Sequence, residues 1–205
     1  MQIEMRGIDK AFGSNQVLKN AGFELRDGEI HALMGENGAG KSTLMKILTG
    51  VYTRDAGTVV VDGQEVVYKS PQEAEKAGIV FIYQELNVLF DLTVEENLFM
   101  GKEITKAFGI CDKKAMRAKA QEVMDKMGVN IPVNAVMSDL SVGQQQMVEI
   151  CKALMVDAKV LIMDEPTAAL TESETKVLFE VIESLKAKGV SIVYISHRME
   201  EIFQL

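Results

Sequence analysis

The chain has 205 residues, enough for one good-sized domain, and its 47% hydrophobic and 25% charged residues are an ordinary globular balance. A net charge of −8 argues against a broad basic surface for nucleic acid. The polar first residues argue against a secretory signal, and no apolar run approaches the roughly 20 residues that span a bilayer. The two cysteines lie far apart, outside any CxxC pattern, and are interpreted as reduced thiols of a cytosolic protein.

The first 34 residues are predicted to be rich in β-structure. Short β-like runs occur at residues 3–8, 17–18, 23–25 and 30–34. Asp27-Gly28 predicts a hairpin between two of these runs. Phe12 precedes Gly13 in a turn-like segment, and the spacing alone favours an ordinary core or surface aromatic over a binding role.

Residues 35–43 read GENGAGKST and fit the pattern G-x-x-x-x-G-K-[S/T] of phosphate-binding loops. Glycines let the backbone approach a ligand, so several N–H groups can form an anion nest ahead of a helix. Lys41 is expected to reach the β- and γ-phosphates, and the Ser42 hydroxyl to bind Mg²⁺. The alternative is a glycine-rich turn with a solvated lysine, but a buried strand before the loop and helical apolar spacing after it favour nucleotide binding. The predicted binding residues are Gly35, Glu36, Asn37, Gly38, Ala39, Gly40, Lys41, Ser42 and Thr43.

A second buried strand is predicted at residues 79–83, after a strand and tight turn at 57–63 and a helix that Ser70 and Pro71 introduce. This strand delivers Gln84 at its carboxyl end, where open α/β sheets place ligands. A lone glutamine after a strand is, on the other hand, usually part of a loop.

Helical signals dominate residues 85–155. Thr93 with Glu96 forms a predicted capping box, and Ser141 is predicted to cap a later helix, with Gln144 three residues on. The many methionines of this region are interpreted as core residues rather than as a cofactor site.

The continuous apolar strand at 159–165 ends in two carboxylates, Asp164 and Glu165. Solvated acids at a strand end are common, but behind a phosphate loop Asp164 is the expected partner of Mg²⁺ and Glu165 can polarise an attacking water. A last strand at 190–195 is followed by His197. A lone histidine is more often structural, but its place at a strand end of this sheet favours a functional role.

Residues 140–146 read LSVGQQQ and resemble the signature, usually LSGGQ, of the ATP-binding cassette (ABC) family. The resemblance covers essentially the whole chain. Its motifs occur in the family's order: an aromatic loop at Phe12, Walker A at 35–43, the Q-loop at Gln84, the signature at 140–144, Walker B at 160–165 and the switch histidine His197. It implies an α/β P-loop NTPase fold with a mostly parallel core sheet, an N-terminal antiparallel β subdomain and an inserted α-helical subdomain.

Two departures from the usual motifs narrow the resemblance. Val142 stands where the signature has glycine, and residues 168–171 read AALT where SALD is usual. With Ser70-Pro71 and the residues after it, the chain resembles the first cassette of bacterial monosaccharide importers of the ribose, galactose and xylose type. Those proteins carry two cassettes in one chain, and residues 198–205 look like an unfinished helix, so we expect a fragment truncated at its C-terminus.

We expect a single ABC ATPase domain over 1–205. Its nucleotide-binding core is predicted at about 1–84 and 156–205, and its helical subdomain at about 85–155.

The resemblance also implies roles for individual residues. Phe12 would stack on adenine, and residues 35–43 would hold the triphosphate. Mg²⁺ would bind Ser42, Gln84 and Asp164. The residues implied in hydrolysis are Glu165 as general base, Lys41, and Gln84 and His197 as sensors of the γ-phosphate. The residues implied to face a nucleotide on an opposing cassette, around Val142, are Ser141, Gly143 and Gln144.

The expected function is that of an ATP-binding and ATP-hydrolysing subunit that powers monosaccharide uptake. Its expected partners are transmembrane permease subunits, a second cassette and, indirectly, a periplasmic or extracellular sugar-binding protein. Its expected location is peripheral, on the cytoplasmic face of the membrane. An alternative is a cassette ATPase that acts on nucleic acid or ribosomes, which the acidic balance disfavours. A third reading, a cassette that binds ATP without hydrolysing it, is disfavoured by Glu165 and His197.

Overall fold

A computed structural model describes residues 1–156 and 158–205 of the chain. The strands are β1 (Ile3–Phe12), β2 (Asn15–Leu25), β3 (Ile30–Leu33), β4 (Ala56–Val61), β5 (Gln64–Glu65), β6 (Ile79–Ile82), β7 (Val160–Asp164) and β8 (Ser191–Ile195). The α-helices are α1 (Lys41–Leu48), α2 (Pro71–Lys76), α3 (Val94–Leu98), α4 (Lys113–Lys126), α5 (Val142–Leu154), α6 (Glu172–Ala187) and α7 (Met199–Gln204). Two short 3₁₀ helices span Ala107–Gly109 and Met137–Asp139.

Internal contacts divide the described residues into two compact units. The first unit contains residues 1–82, 158–165 and 182–205, and the second contains residues 83–156 and 166–181. Both β-sheets belong to the first unit. The second unit contains α3, α4, α5 and the first part of α6.

The first unit contains a fully parallel sheet with strand order β3-β8-β7-β6. All residues of β7 and β8 are buried, as expected for the inner strands of a parallel sheet. In the register, Leu33 pairs with Ile195 and Ile195 pairs with Asp164. The carboxyl ends of β3, β8 and β7 therefore meet in one row at one edge of the sheet.

The second sheet of this unit is antiparallel, with strand order β2-β1-β4-β5. The predicted hairpin at Asp27-Gly28 is wrong, because β2 and β3 lie in different sheets. The Gly28 N–H donates to Ser191 Oγ at 2.8 Å, so the turn is attached to β8 and leads the chain from one sheet to the other. β1 also extends further than predicted, since Phe12 is its last residue and pairs with Asn15.

Two helices of the second unit, α3 and α5, begin where the sequence predicts. Thr93 and Ser141 each form a reciprocal capping box, with Glu96 and Gln144 respectively. Among residues 1–156 and 158–205, no helix combines the length and the apolar character needed to cross a membrane.

Candidate functional site

The phosphate-loop sequence connects β3 to α1. Gly40 stands at the N-cap of α1 with φ 89°, in the left-handed region that favours glycine. A Cβ at this position would lie 2.6 Å from Leu18 Cδ2 and 3.2 Å from the Val17 carbonyl oxygen. The loop thus passes directly against β2, and a side chain at position 40 would have to displace Leu18 and strain the backbone.

Lys41 folds back over this loop. Its Nζ donates to the carbonyl oxygens of Gly35 at 2.7 Å and Glu36 at 2.9 Å. Residues 35–39 are exposed, while the apolar face of α1 is buried. A cation is therefore held above an open backbone loop that precedes a helix, an arrangement suited to phosphate.

Ser42 lies close to Asp164 at the carboxyl end of β7. Asp164, the last residue of β7, is 4% exposed. Burial raises the pKa of Asp164, whereas the Ser42 side chain and the positive charges of Lys46 and Lys41 act in the opposite direction. A hydroxyl and a carboxylate oxygen are hard ligands that suit Mg²⁺.

The described residues contain no cluster of three or more His, Cys, Asp or Glu that could hold a metal ion. A magnesium ion at this place would therefore depend on a few protein oxygens, with water and phosphate oxygens completing its shell, as Mg²⁺ usually does.

Glu165 and His197 form the second polar pair at these strand ends. His197 Nδ1 lies 2.9 Å from Glu165 Oε1, with side-chain exposures of 54% and 13%. The Glu165 N–H donates to the carbonyl oxygen of Ile195 at 2.9 Å, which continues the pairing of β7 with β8. Glu165 has φ 48°, a left-handed conformation that is strained for a residue with a side chain.

Phe12 is 42% exposed and contacts Tyr52 edge-on, with ring centroids 5.1 Å apart. Lys10 Nζ lies 5.3 Å from the Phe12 ring centroid. The Tyr52 N–H donates to the carbonyl oxygen of Lys46 in α1, so the aromatic pair is linked to the helix that follows the loop.

The remaining predicted site residues belong to the second unit. Gln84 follows β6 by two residues, and Ser141, Gly143 and Gln144 lie at the start of α5. The first unit therefore brings together the loop, Asp164, Glu165 and His197, and the second unit brings together the signature residues.

The contacts at the start of α5 include one that the sequence analysis missed. Ser141 Oγ accepts from the Gln144 N–H at 3.2 Å, and Gln144 Oε1 accepts from the Ser141 N–H at 2.9 Å. A Cβ on Gly143 would lie 2.5 Å from Glu174 Oε2. The Glu174 carboxylate also accepts from the N–H and the hydroxyl of Thr171, both at 2.8 Å. The absence of a side chain at 143 thus makes room for Glu174.

Comparison with known proteins agrees with this architecture. The family model described as "ABC transporter" matches residues 18–168. The chain belongs to the ABC transporter family. The Bacillus licheniformis ribose import ATP-binding protein RbsA is 59% identical over 205 residues, and the protein of the same name from Bacillus subtilis is 58% identical. The match covers 100% of this ABC cassette but 42% of either relative, so the chain spans less than half the length of these relatives.

Solved structures support the same fold. A nucleotide-free ATP-binding cassette from an ABC transporter has a TM-score of 0.86 and 28% identity, covering 99% of this chain and 84% of that one. The ADP conformation of MJ1267, an ATP-binding cassette of an ABC transporter, has a TM-score of 0.84 and 30% identity, covering 98% and 84%. The predicted fold class is therefore confirmed: an ABC ATPase cassette with a parallel sheet, an antiparallel sheet and helices.

Proposed function

We propose that this ABC cassette binds and hydrolyses ATP, and that the full-length protein uses this reaction to power uptake of a monosaccharide such as ribose. The observation that carries the catalytic part is the pairing of Glu165 with His197 at 2.9 Å, on the same sheet edge as Asp164, beside which Ser42 lies. The transport part rests on relatives named as ribose import ATP-binding proteins.

In this proposal residues 35–43 bind the triphosphate through their backbone amides. Lys41 moves from the carbonyl oxygens of Gly35 and Glu36 to the β- and γ-phosphates, exchanging two neutral acceptors for charged ones. Phe12 stacks on adenine, using the part of its ring that is exposed.

The residues that would hold Mg²⁺ are Ser42, Gln84 and Asp164. When bound, the ion neutralises charge on the phosphate oxygens. The buried Asp164 contributes the negative charge, and the Ser42 hydroxyl a neutral oxygen. The role of Gln84 rests on its place in the motif order.

Glu165 acts as general base in the proposed reaction: its carboxylate accepts a proton from the attacking water. His197 holds that carboxylate through Nδ1, and its other ring nitrogen is available to contact the γ-phosphate. The roles of Gln84 and His197 as γ-phosphate sensors remain part of this proposal.

The proposed partners follow from the family. A second cassette would present its nucleotide to Ser141, Gly143 and Gln144, and transmembrane permease subunits would dock on the helical subdomain, about residues 85–155. The nucleotide-binding core would comprise about residues 1–84 and 156–205. A sugar-binding protein outside the membrane would take part indirectly, and the location would be peripheral, on the cytoplasmic face. The net charge of −8 argues against a nucleic-acid partner.

The test of hydrolysis is Glu165→Gln in the full-length protein. We expect ATP turnover to fall at least about 100-fold, the usual range for loss of a general base, while Mg-ATP affinity is retained. Glu172→Gln, an exposed carboxylate of α6, is the matched control and should keep the wild-type rate. Wild-type turnover by the Glu165 variant would contradict the proposal.

The transport assignment has a separate test. The full-length protein should co-purify with a membrane permease, and the reconstituted complex should take up ribose only with ATP. Recovery on ribosomes or DNA instead would favour the alternative ATPase.

A further inference from the structure

Glu201 in α7 is a buried carboxylate directly after the His197 segment. The residue is 5% exposed. Its Oε2 accepts from the Tyr194 hydroxyl and the Ser196 hydroxyl, both at 2.9 Å, and its Oε1 accepts from Arg198 Nη1 at 2.8 Å. One carboxylate thus binds the residue before His197 and the residue after it.

The backbone around His197 is held by the same group of residues. The Arg198 N–H donates to Ser196 Oγ at 3.0 Å, and Ser196 Oγ in turn donates to Glu201. The Glu201 N–H donates to the Arg198 carbonyl oxygen at 3.2 Å. These bonds fix the turn between β8 and α7, at whose centre His197 lies.

An ordinary helix cap does not account for this burial. Glu201 is the third residue of α7, where a glutamate usually accepts from the N-cap amide at the surface. Here the N-cap amide of Arg198 donates to Ser196, and the Glu201 carboxylate faces the buried Tyr194. A buried carboxylate is unfavourable unless it is paired and hydrogen bonded, and here three donors bind it.

The opposite side of the His197 contact is equally fixed. Glu165 is attached to β8 through its N–H bond to Ile195, whereas the His197 side chain is 54% exposed. The 2.9 Å contact between them therefore depends on the backbone position of the 196–198 turn.

We propose that Glu201 is a positioning residue that sets the His197 imidazole against Glu165. This inference rests on the proposed function for its effect on turnover. Its effect on the position of the imidazole does not require that function.

The first test measures the imidazole itself. In NMR spectra of the full-length protein, His197 signals are assigned by their absence in His197→Ala, and His31 signals serve as an internal reference. Glu201→Gln removes the charge but keeps the shape of the side chain. We expect it to shift the His197 ring signals and leave those of His31 in place. Unchanged His197 signals would overturn the inference, whether or not the protein hydrolyses ATP.

The second test is a double-mutant cycle on ATP turnover. Glu201→Ala should lower kcat at least about 10-fold with little change in KM, because a small misplacement near the reacting groups is costly. Glu201→Gln should lose less, and Glu200→Ala, which removes an exposed neighbour in the same helix, should be neutral. In a His197→Ala background, Glu201→Ala should cause no further loss.

An equal further loss in that background would overturn the positioning role and indicate a general structural effect. Thermal unfolding of each variant reveals failure to fold, in which case Glu201→Gln and Ser196→Ala decide the result. If the wild-type protein were inactive but Glu201→Gln still shifted the His197 signals, the proposed function would be contradicted and the positioning inference would remain supported.

Discussion

Two helices of this cassette begin in opposite ways. Before α1 stands Gly40, which has no side-chain oxygen to offer and adopts φ 89°. Before α5 stands Ser141, which exchanges two hydrogen bonds with Gln144. Both starts carry the positive end of a helix dipole.

The difference indicates that the two starts depend on nucleotide to different degrees. The start of α5 satisfies two of its amides within the chain, and phosphate would be an additional partner. The start of α1 has no side-chain cap, and Lys41 bonds carbonyl oxygens of the loop rather than amides, so an external anion is the partner that the first amides of α1 would gain. We therefore expect nucleotide to stabilise the α1 start far more than the α5 start.

The largest effect is expected for Lys41→Ala, which should weaken ATP binding at the start of α1. Losing two charge-assisted bonds of about 1.5–3 kcal/mol each should weaken ATP binding at least about 100-fold. Calorimetry with Mg-ATP measures this, and Lys76→Ala, an exposed lysine of the same unit, should bind normally. Wild-type affinity in the Lys41 variant would show that the α1 start is not the phosphate site.

Gly40→Ala should cost about 2–4 kcal/mol of unfolding free energy. The left-handed backbone costs about 1–2 kcal/mol with a side chain, and the new Cβ would press on Leu18 and Val17. Gly38→Ala is the matched control, because its φ is 86° but no described residue lies within 4 Å of its Cβ. Urea unfolding should show a loss of about 1 kcal/mol of unfolding free energy for Gly38→Ala. Equal losses at Gly38 and Gly40 would refute the steric argument.

The effect of Gly143→Ala on the free energy of unfolding should change sign when residue 174 is changed. With Glu174 present, the Cβ meets Oε2 at 2.5 Å and should cost about 1–3 kcal/mol. In a Glu174→Ala background the same change should stabilise by about 0.5–1 kcal/mol, because alanine is the better helix former. Unfolding of the four proteins measures both values, and a loss in both backgrounds would contradict this reading of the contact.

Ser141→Ala should have the smallest effect, about 1 kcal/mol of unfolding free energy, which is typical for loss of an N-cap. Ser138→Ala, an exposed serine nearby, should change stability by less than about 0.5 kcal/mol. A loss at Ser141 no larger than that at Ser138 would mean that the capping box does not hold the start of α5.

The parts of the fold that short-range signals specify are those that sequence analysis predicted well. The caps at Ser70, Thr93 and Ser141 need only residues three positions away, and all three are confirmed. The hairpin at Asp27-Gly28 was wrong because the partner of this turn, Ser191, lies 163 residues from Gly28.

The candidate site shows the same division. Motif spacing identified Ser42, Asp164, Glu165 and His197 separately, and their roles remain predictions. Their distances follow from the strand order β3-β8-β7, which no local pattern contains. The contacts of Glu174 and Glu201 were missed because in sequence both look like ordinary helix carboxylates. The closeness of Glu174 to Gly143 and the burial of Glu201 against Tyr194 appear only in the structure.

Under the proposed function, the backbone of Glu165 sets thermal stability against ATP turnover. Its φ of 48° costs on the order of 1–3 kcal/mol in a residue that has a Cβ. Glycine, or to a lesser extent asparagine, would relax this cost and remove the carboxylate at the same time. Selection for thermal tolerance alone would therefore favour loss of the acid, whereas the proposed hydrolysis would favour keeping it.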